Sequence, residues 1–334
     1  MTRFSIHWFK LPASNNRLTC LYRISDMMLK NLFIFGLSLF FFSNVQAQTT
    51  HRYKDLVFSD VNIDKDLSYN AVANEKEKKA YLFDLYQPKD DKELRRPLII
   101  WMHGRGFKFG SKSANGIPLW SKTFAQRGYV CAAINYRLSG KNTLFNFDEF
   151  LKASYYAVQD VKRAVEYFRK NASLYHIDPD KVILAGNSAG GIIALQAAYS
   201  SNEELAKLTK LPADTDALNN PKDRVKVAGI INFWGAIYDL NWLKNERIPI
   251  VSVFGSNDSV VPPTHKSAPL HGSIDIHEEA DQLGIPNDIK VFEGYSHELQ
   301  KHFNPLFSGG KATQQRWLEA GQFAADFLFK TIIK

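Results

Sequence analysis

The chain has 334 residues, of which 45% are hydrophobic and 23% are charged, as in ordinary globular proteins. These fractions exclude a chain too polar to build a sizeable core. The formal net charge is +8, but residues 1–47 hold five of the 42 basic and one of the 34 acidic residues, so the charge without them is +4. Such a small, evenly spread excess argues against nucleic acid as a partner.

A secretory signal peptide is predicted over residues 27–47. Lys30 supplies a positive charge, residues 32–42 form an uncharged apolar run, and Val45-Gln46-Ala47 fits a small-x-small cleavage pattern. The run is short for a membrane span, and an uncleaved anchor is the alternative interpretation. Cleavage after Ala47 predicts a secreted or periplasmic protein with no stable membrane anchor.

The residues before and after this segment are interpreted separately. Residues 1–26 form a basic, non-periodic prefix that we interpret as lying upstream of the true start; a long n-region of the signal peptide is the alternative. Residues 48–334 are predicted to form a single domain. Cys131 is the one cysteine of that domain, so no intramolecular disulfide is expected, and its apolar neighbours predict a small buried side chain.

Strand-like and helix-like patterns alternate along the predicted domain. The strand predictions cover residues 81–86, 97–102, 129–136, 182–185, 225–233, 249–254 and 288–292; the helix predictions cover residues 117–127, 154–170, 189–199, 274–283 and 313–330. This order predicts an α/β fold with a mainly parallel central sheet and helices on both faces. Residues 203–224 and 260–273 interrupt the alternation, as a small lid or as surface excursions without a gating role.

The segment Gly186-Asn187-Ser188-Ala189-Gly190 follows a predicted strand and opens a predicted helix. This is the G-x-S-x-G pattern in the strand–turn–helix context that lifts a serine hydroxyl above the end of a sheet. The N–H of Ala189, at the start of the helix, is placed to stabilise a developing oxyanion. Ser188 is therefore the predicted nucleophile; a glycine-rich packing turn is the alternative.

A serine nucleophile needs a base, and the base needs an orienting carboxylate. Asp258 follows the predicted strand 249–254 and His297 follows the strand 288–292, so both are expected at the edge where Ser188 lies. The chain order Ser, Asp, His agrees with this assignment. Asp239 is the rival acid, because it also follows a strand. The remaining histidines lack close ligand pairs, so we expect no metal site.

These motifs resemble the α/β-hydrolase fold, and more narrowly the carboxylesterases of the H-G-G-G type, which include esterases related to hormone-sensitive lipase and type-B-like esterases. The resemblance covers residues 51–333. It rests on His103-Gly104-Arg105-Gly106-Phe107 with Gly110-Ser111, on Asn135-Tyr136-Arg137-Leu138, on Asp178-Pro179-Asp180-Lys181 before the serine motif, on Gly255-x-x-Asp258-x-x-Val261-Pro262 and on Gly294-Tyr295-Ser296-His297.

The resemblance implies a triad of Ser188, His297 and Asp258. It also implies an oxyanion hole formed by the backbone N–H groups of Gly104, Arg105 and Ala189. Arg105 replaces the second glycine of the H-G-G-G motif. Its side chain either contacts a carboxylate, sugar or phosphate of the substrate, or points to solvent or to a structural acid.

The expected function is an exported serine carboxylic-ester hydrolase without metal or organic cofactor. Its substrate would be a small-molecule or polysaccharide-linked ester, such as an acetyl or feruloyl group. Four aromatic residues are candidates to line the substrate pocket or, alternatively, to pack in the core or lid: Phe107, Phe109, Trp234 and Tyr238. A serine peptidase or amidase of the same fold, and a non-catalytic binding module on this scaffold, are the alternatives.

Overall fold

A computed structural model of the protein describes residues 50–71, 73–74, 77–114, 116–212, 224–265, 269–305 and 309–334. The predicted signal peptide and prefix lie outside the described residues. The chain from Thr50 to Lys334 forms one compact unit.

Within the part of the chain that the structure describes, eight strands form one sheet in the order β1-β2-β4-β3-β5-β6-β7-β8. They are β1 (Val61–Ser68), β2 (Leu82–Pro88), β3 (Arg96–Met102), β4 (Val130–Ile134), β5 (Ile177–Asn187), β6 (Gly229–Phe233), β7 (Ile250–Gly255) and β8 (Asn287–Phe292). Strand β2 pairs antiparallel with β1 and β4, and every other pairing is parallel. The mainly parallel sheet predicted from the sequence is thus confirmed.

Seven α-helices surround the sheet in the described residues. They are α1 (Ile117–Gln126), α2 (Phe147–Lys170), the single turn α3 (Ala172–Tyr175), α4 (Ala189–Tyr199), α5 (Asn202–Thr209), α6 (Ser273–Leu283) and α7 (Lys311–Leu328). Short 3₁₀ helices cover Lys78–Tyr81, Leu240–Asn245 and His297–Leu299, and a π-helical turn covers Phe329–Ile333. Among the described helices, none is both long and apolar enough to cross a membrane.

The core lies on both faces of the sheet because strand side chains alternate between them. Leu98 and Ile100 of β3 pack in one cluster with residues of α2, α4 and α6. Ile99 and Trp101 pack in the other cluster with residues of α1 and α7. Cys131 is buried in this second cluster, as predicted. The predicted covering of both sheet faces by helices is therefore confirmed.

The structure contains elements that the sequence patterns did not reveal. Strand β1 is an edge strand whose residues are mostly exposed, so it lacks the alternation by which half-buried strands are recognised. Helix α2 begins at Phe147 instead of residue 154, and Asn146 caps it by accepting a hydrogen bond from the Glu149 N–H (3.1 Å). The sequence patterns also do not predict helix α5, most of which lies in the expected insertion over residues 203–224.

Candidate active site

Ser188 lies on a sharp turn between β5 and α4. Its backbone has φ 53° and ψ −120°, a conformation that residues other than glycine rarely adopt. Two hydrogen bonds hold the turn: the Ser188 N–H donates to the Phe233 carbonyl (2.9 Å), and the Ser188 carbonyl accepts from the Ile192 N–H (3.0 Å). Strand pairing and helix initiation thus fix the position of the serine.

Three glycines let the backbone segments around Ser188 approach each other. A Cβ on Gly190 would overlap the carbonyl of Met102, and one on Gly186 would overlap the backbone of Gly190. A Cβ on Gly104 would lie 2.8 Å from the Asn187 carbonyl oxygen and 3.0 Å from the Ser188 Cβ. Strand β3, the nucleophile turn and the loop after β3 are therefore in direct backbone contact.

His297 connects the serine to an acid. Its Nε2 lies 2.9 Å from the Ser188 Oγ and its Nδ1 lies 2.7 Å from the Asp258 Oδ2. The His297 and Asp258 side chains are almost completely buried, with 3% and 0% exposed. Because a carboxylate oxygen only accepts, the proton of the neutral ring is on Nδ1, and Nε2 is free to accept from the serine hydroxyl.

Asp258 is held by the backbone beyond β7. Its Oδ1 accepts hydrogen bonds from the N–H groups of Val260 and Val261, both at 2.9 Å, which leaves Oδ2 directed at His297. The rival acid Asp239 instead caps a 3₁₀ helix by accepting from the Asn241 N–H (2.9 Å). The structure thus brings Asp258, and not Asp239, to the histidine.

The loop after β3 carries the predicted oxyanion donors. Arg105 (φ 77°), Gly106 (φ 62°) and Phe107 (φ 60°) have consecutive left-handed backbone conformations. His103 Nδ1 donates to the Gly104 carbonyl (2.9 Å), since that carbonyl can only accept, and the Tyr136 hydroxyl donates to the His103 carbonyl (2.7 Å). These bonds give the carbonyls of His103 and Gly104 partners within the protein, and the Gly104 backbone lies against Ser188.

His103 predicts a pH-dependent stability. Burial lowers the pKa of this fully buried imidazole to about 4 from its ordinary 6.5. Below pH 6.5 the unfolded chain therefore binds a proton at this residue that the folded chain does not bind until the pH nears 4. The contribution of neutral His103 to the free energy of unfolding is fully present above pH 6.5 and is lost as pH falls toward 4. We expect the free energy of unfolding to fall by about 2 kcal/mol from this residue between pH 7.5 and 5.0.

Urea unfolding at the two pH values measures this effect, and His103→Gln is the comparison. The variant should lose less stability on acidification, because it lacks the His103 imidazole. His277, another buried histidine with a lowered pKa, is present in both proteins and so does not affect the comparison. Equal losses in the two proteins would show that His103 is not the source.

The Arg105 side chain binds another loop of the protein. Its Nη1 donates to the Pro305 carbonyl at 2.9 Å, 200 residues away in the chain. This backbone carbonyl is neither the substrate group nor the structural acid that the sequence analysis left open for the side chain. Sequence reasoning had no signal for this contact, because neither Arg105 nor Pro305 lies in a periodic pattern.

The aromatic residues predicted to line the substrate pocket have different positions. Phe107 is buried against Tyr136 and Phe150, and Trp234 is buried against Trp120 and Phe233, so both fill the core, the alternative role stated for them. Tyr238 is also buried, edge-on to Phe150. Phe109, in contrast, is 55% exposed. Burial favours packing for the first three.

Among the described residues, two of the cavities adjoin the loops of the site. One of about 940 Å³ is lined by His103, Gly110 and Ser111 of the loop after β3 and by polar and aromatic groups that include Lys79, Arg137, Lys152 and Tyr156. The other, about 620 Å³, lies between the Asp258 and His297 loops and is lined by Asn257, Ser259, Val260, Gly294, Ser296, Lys301, His302 and Phe303. Within the described residues no His, Cys, Asp or Glu cluster could hold a metal ion.

Comparison with known proteins agrees with the resemblance stated above. Residues 83–252 match the family model described as BD-FAE. The chain is 28% identical over 196 residues to the probable carboxylic ester hydrolase LipM of Mycobacterium tuberculosis, covering 58% of this chain and 39% of LipM. It is 32% identical over 130 residues to the para-nitrobenzyl esterase of Bacillus subtilis, covering 38% of this chain and 25% of that esterase. The chain thus spans well under half the length of these relatives.

Solved structures show the same fold. Propionate-bound Est2, a thermophilic esterase of Thermogutta terrifontis, is 20% identical and superimposes with a TM-score of 0.54, covering 80% of this chain and 93% of that one. The same esterase phosphorylated by paraoxon is 21% identical with a TM-score of 0.55, covering 82% and 95%. These likenesses confirm the α/β-hydrolase fold. Since the family model matches half of the chain, the protein belongs to the BD-FAE family.

Proposed function

We propose that the protein is a serine carboxylic-ester hydrolase with Ser188 as nucleophile, His297 as general base and acid, and Asp258 as the orienting acid. The observation that carries the proposal is the His297 ring bridging the Ser188 Oγ (2.9 Å) and the Asp258 carboxylate (2.7 Å). The names of the relatives, carboxylic ester hydrolase and esterase, support the ester as the bond cleaved.

The reaction follows from this geometry. The Ser188 Oγ attacks the ester carbonyl carbon while its proton moves to the His297 Nε2. The tetrahedral intermediate collapses, the carbon–oxygen bond to the alcohol breaks, and the alcohol leaves with the proton from His297. Water then attacks the acyl-enzyme as its proton moves to the same nitrogen; the bond from the acyl carbon to the Ser188 Oγ breaks, and the Oγ takes that proton back as the acid leaves. Asp258 keeps the ring in the required tautomer and stabilises the imidazolium.

The backbone N–H groups of Gly104, Arg105 and Ala189 are proposed to bind the oxyanion. The Ala189 N–H is the first of helix α4, where N–H groups have no partner within the helix and the helix dipole is positive. A Cβ added to Gly104 would lie 3.0 Å from the Ser188 Cβ, and this closeness of the loop to the nucleophile supports the proposal.

Gly104→Ala should lower kcat about 100-fold, because the added Cβ would press on the Asn187 carbonyl and the Ser188 Cβ and so displace the proposed donors. Gly140→Ala is the matched control, since a Cβ there meets no atom within 4 Å. Steady-state kinetics with p-nitrophenyl acetate compare the two. Similar rates for both variants would argue against the close approach at residue 104.

Polysaccharide-linked acetyl or feruloyl esters are the proposed substrates. The predicted export supports this, because it places the substrates outside the cytoplasm. The cavity of about 940 Å³ is large enough for a sugar unit and adjoins the loop of the proposed oxyanion hole at His103, Gly110 and Ser111, but Ser188 does not line it. Its lining combines aromatic and charged groups, among them Tyr156, Arg137 and Lys152. Rates with p-nitrophenyl acetate, butyrate and octanoate, acetylated xylan and methyl ferulate test the proposal. Exclusive turnover of p-nitrophenyl octanoate would contradict it.

Export and a single domain over residues 48–334 complete the proposal. The basic residue, apolar run and small-x-small site before Gln48 support cleavage after Ala47. N-terminal sequencing of the protein recovered outside the cytoplasm tests the cleavage, and a mature N-terminus upstream of Met27 would refute it.

A further inference from the structure

Arg105 is the residue of the oxyanion loop that departs from the H-G-G-G pattern. Its φ of 77° lies in the region that favours glycine, so a side chain at this position opposes the preference of its own backbone. The guanidinium donates to the Pro305 carbonyl at 2.9 Å. A charged donor gives a stronger hydrogen bond than a neutral one, and this one joins two loops that are 200 residues apart.

The loop that Arg105 reaches also contacts His297. Phe303, two residues before Pro305, packs its ring edge-on against the His297 ring, with centroids 4.9 Å apart and planes at 87°. Segment 303–305 therefore touches the proposed base on one side and the Arg105 side chain on the other. In this way the loop of the proposed oxyanion donors is connected to the proposed base through the Arg105 side chain, the backbone of segment 303–305 and the Phe303 ring.

We propose that Arg105 is a positioning residue, a clasp that holds segment 303–305, and through Phe303 the His297 ring, in register with the oxyanion loop. This inference rests on the proposed ester hydrolase function. The clasp acts equally on every substrate, because it fixes the distance between the base and the oxyanion donors and contacts no part of the ester. Its loss therefore lowers kcat more than it changes KM.

Arg105→Gly is the decisive variant, because glycine removes the clasp while relieving the left-handed backbone. We expect kcat for p-nitrophenyl acetate to fall about tenfold with little change in KM. An anionic ester, mono-p-nitrophenyl succinate, should show the same fall, and labelling by a fluorophosphonate probe should slow in proportion. Amide hydrogen exchange at Asn304 should accelerate, a readout that needs no activity.

Lys108→Ala is the matched control. Lys108 lies in the same loop and also donates to backbone carbonyls, those of Ser139 (3.2 Å) and Gly140 (2.7 Å), but not to segment 303–305. This variant should keep the wild-type kcat. A double-mutant cycle with Phe303→Leu should be non-additive, since the clasp acts through that ring.

Three results would overturn the clasp. They are a wild-type kcat in Arg105→Gly, a loss confined to the anionic ester with a raised KM, and strict additivity with Phe303→Leu. If wild-type protein neither turns over esters nor reacts with the probe, the proposed function fails instead. Faster exchange at Asn304 in Arg105→Gly would then still support the contact itself.

Discussion

Ser188→Ala should abolish ester turnover, with kcat lowered on the order of 10⁵- to 10⁶-fold. Without the Oγ no acyl-enzyme forms, and the neighbouring imidazole has no proton to accept. The Ser188 Oγ lies 2.9 Å from the His297 Nε2 on a turn fixed by backbone hydrogen bonds, so this residue supplies the hydroxyl next to the base. Labelling by a fluorophosphonate probe should be lost to the same extent.

Ser259→Ala is the control for this substitution. Ser259 is exposed and follows Asp258 directly, so the variant removes a nearby hydroxyl without removing the proposed nucleophile. It should keep wild-type turnover and labelling. Labelling that survives in Ser188→Ala, with the fold intact by circular dichroism, would reject Ser188 as the nucleophile and return attention to the non-catalytic interpretation.

Asp258→Asn should lower kcat about 10⁴-fold with little effect on KM. An amide nitrogen directed at the His297 Nδ1 would donate, and this favours the tautomer with the proton on Nε2, which cannot accept from Ser188. If the amide oxygen faces the ring instead, the amide NH₂ faces the N–H groups of Val260 and Val261 and donors meet donors. In the wild-type protein these two N–H groups donate to the Asp258 Oδ1. Neither orientation satisfies all partners of the carboxylate.

The rival acid supplies the comparison for this prediction. Asp239→Asn should change kcat less than twofold, because Asp239 caps a 3₁₀ helix and an asparagine oxygen can accept the same bond. A large loss in Asp239→Asn together with a small one in Asp258→Asn would exchange the roles of the two acids. Both variants are measured at the same pH with p-nitrophenyl acetate.

The positions of Ser188, Asp258 and His297 were predictable because a general rule places them. Residues that follow parallel strands meet at one edge of the sheet, and β5, β7 and β8 lie close together in it. The close backbone contact at the glycines around Ser188 was predictable for a similar reason, since small residues at a strand–turn–helix junction indicate such contact.

Side-chain contacts between distant loops were not predictable. The Arg105–Pro305 hydrogen bond and the packing of Phe303 on His297 depend on how two loops fold over the same edge, and neither loop has a periodic pattern. Sequence also could not distinguish pocket-lining from core aromatic residues: Phe107 and Trp234 are buried, whereas Phe109 is exposed. Apolar character is the same in both settings.

The backbone contacts at the nucleophile turn also determine where new specificities can be engineered. Because side chains at Gly104, Gly186 or Gly190 would overlap neighbouring backbone, mutant libraries that include these codons would consist mainly of inactive clones. Diversity is better directed to Leu144, whose side chain is exposed and lies next to Gly106 of the oxyanion loop. The same steric constraint would confine changes of substrate preference to exposed positions such as this one.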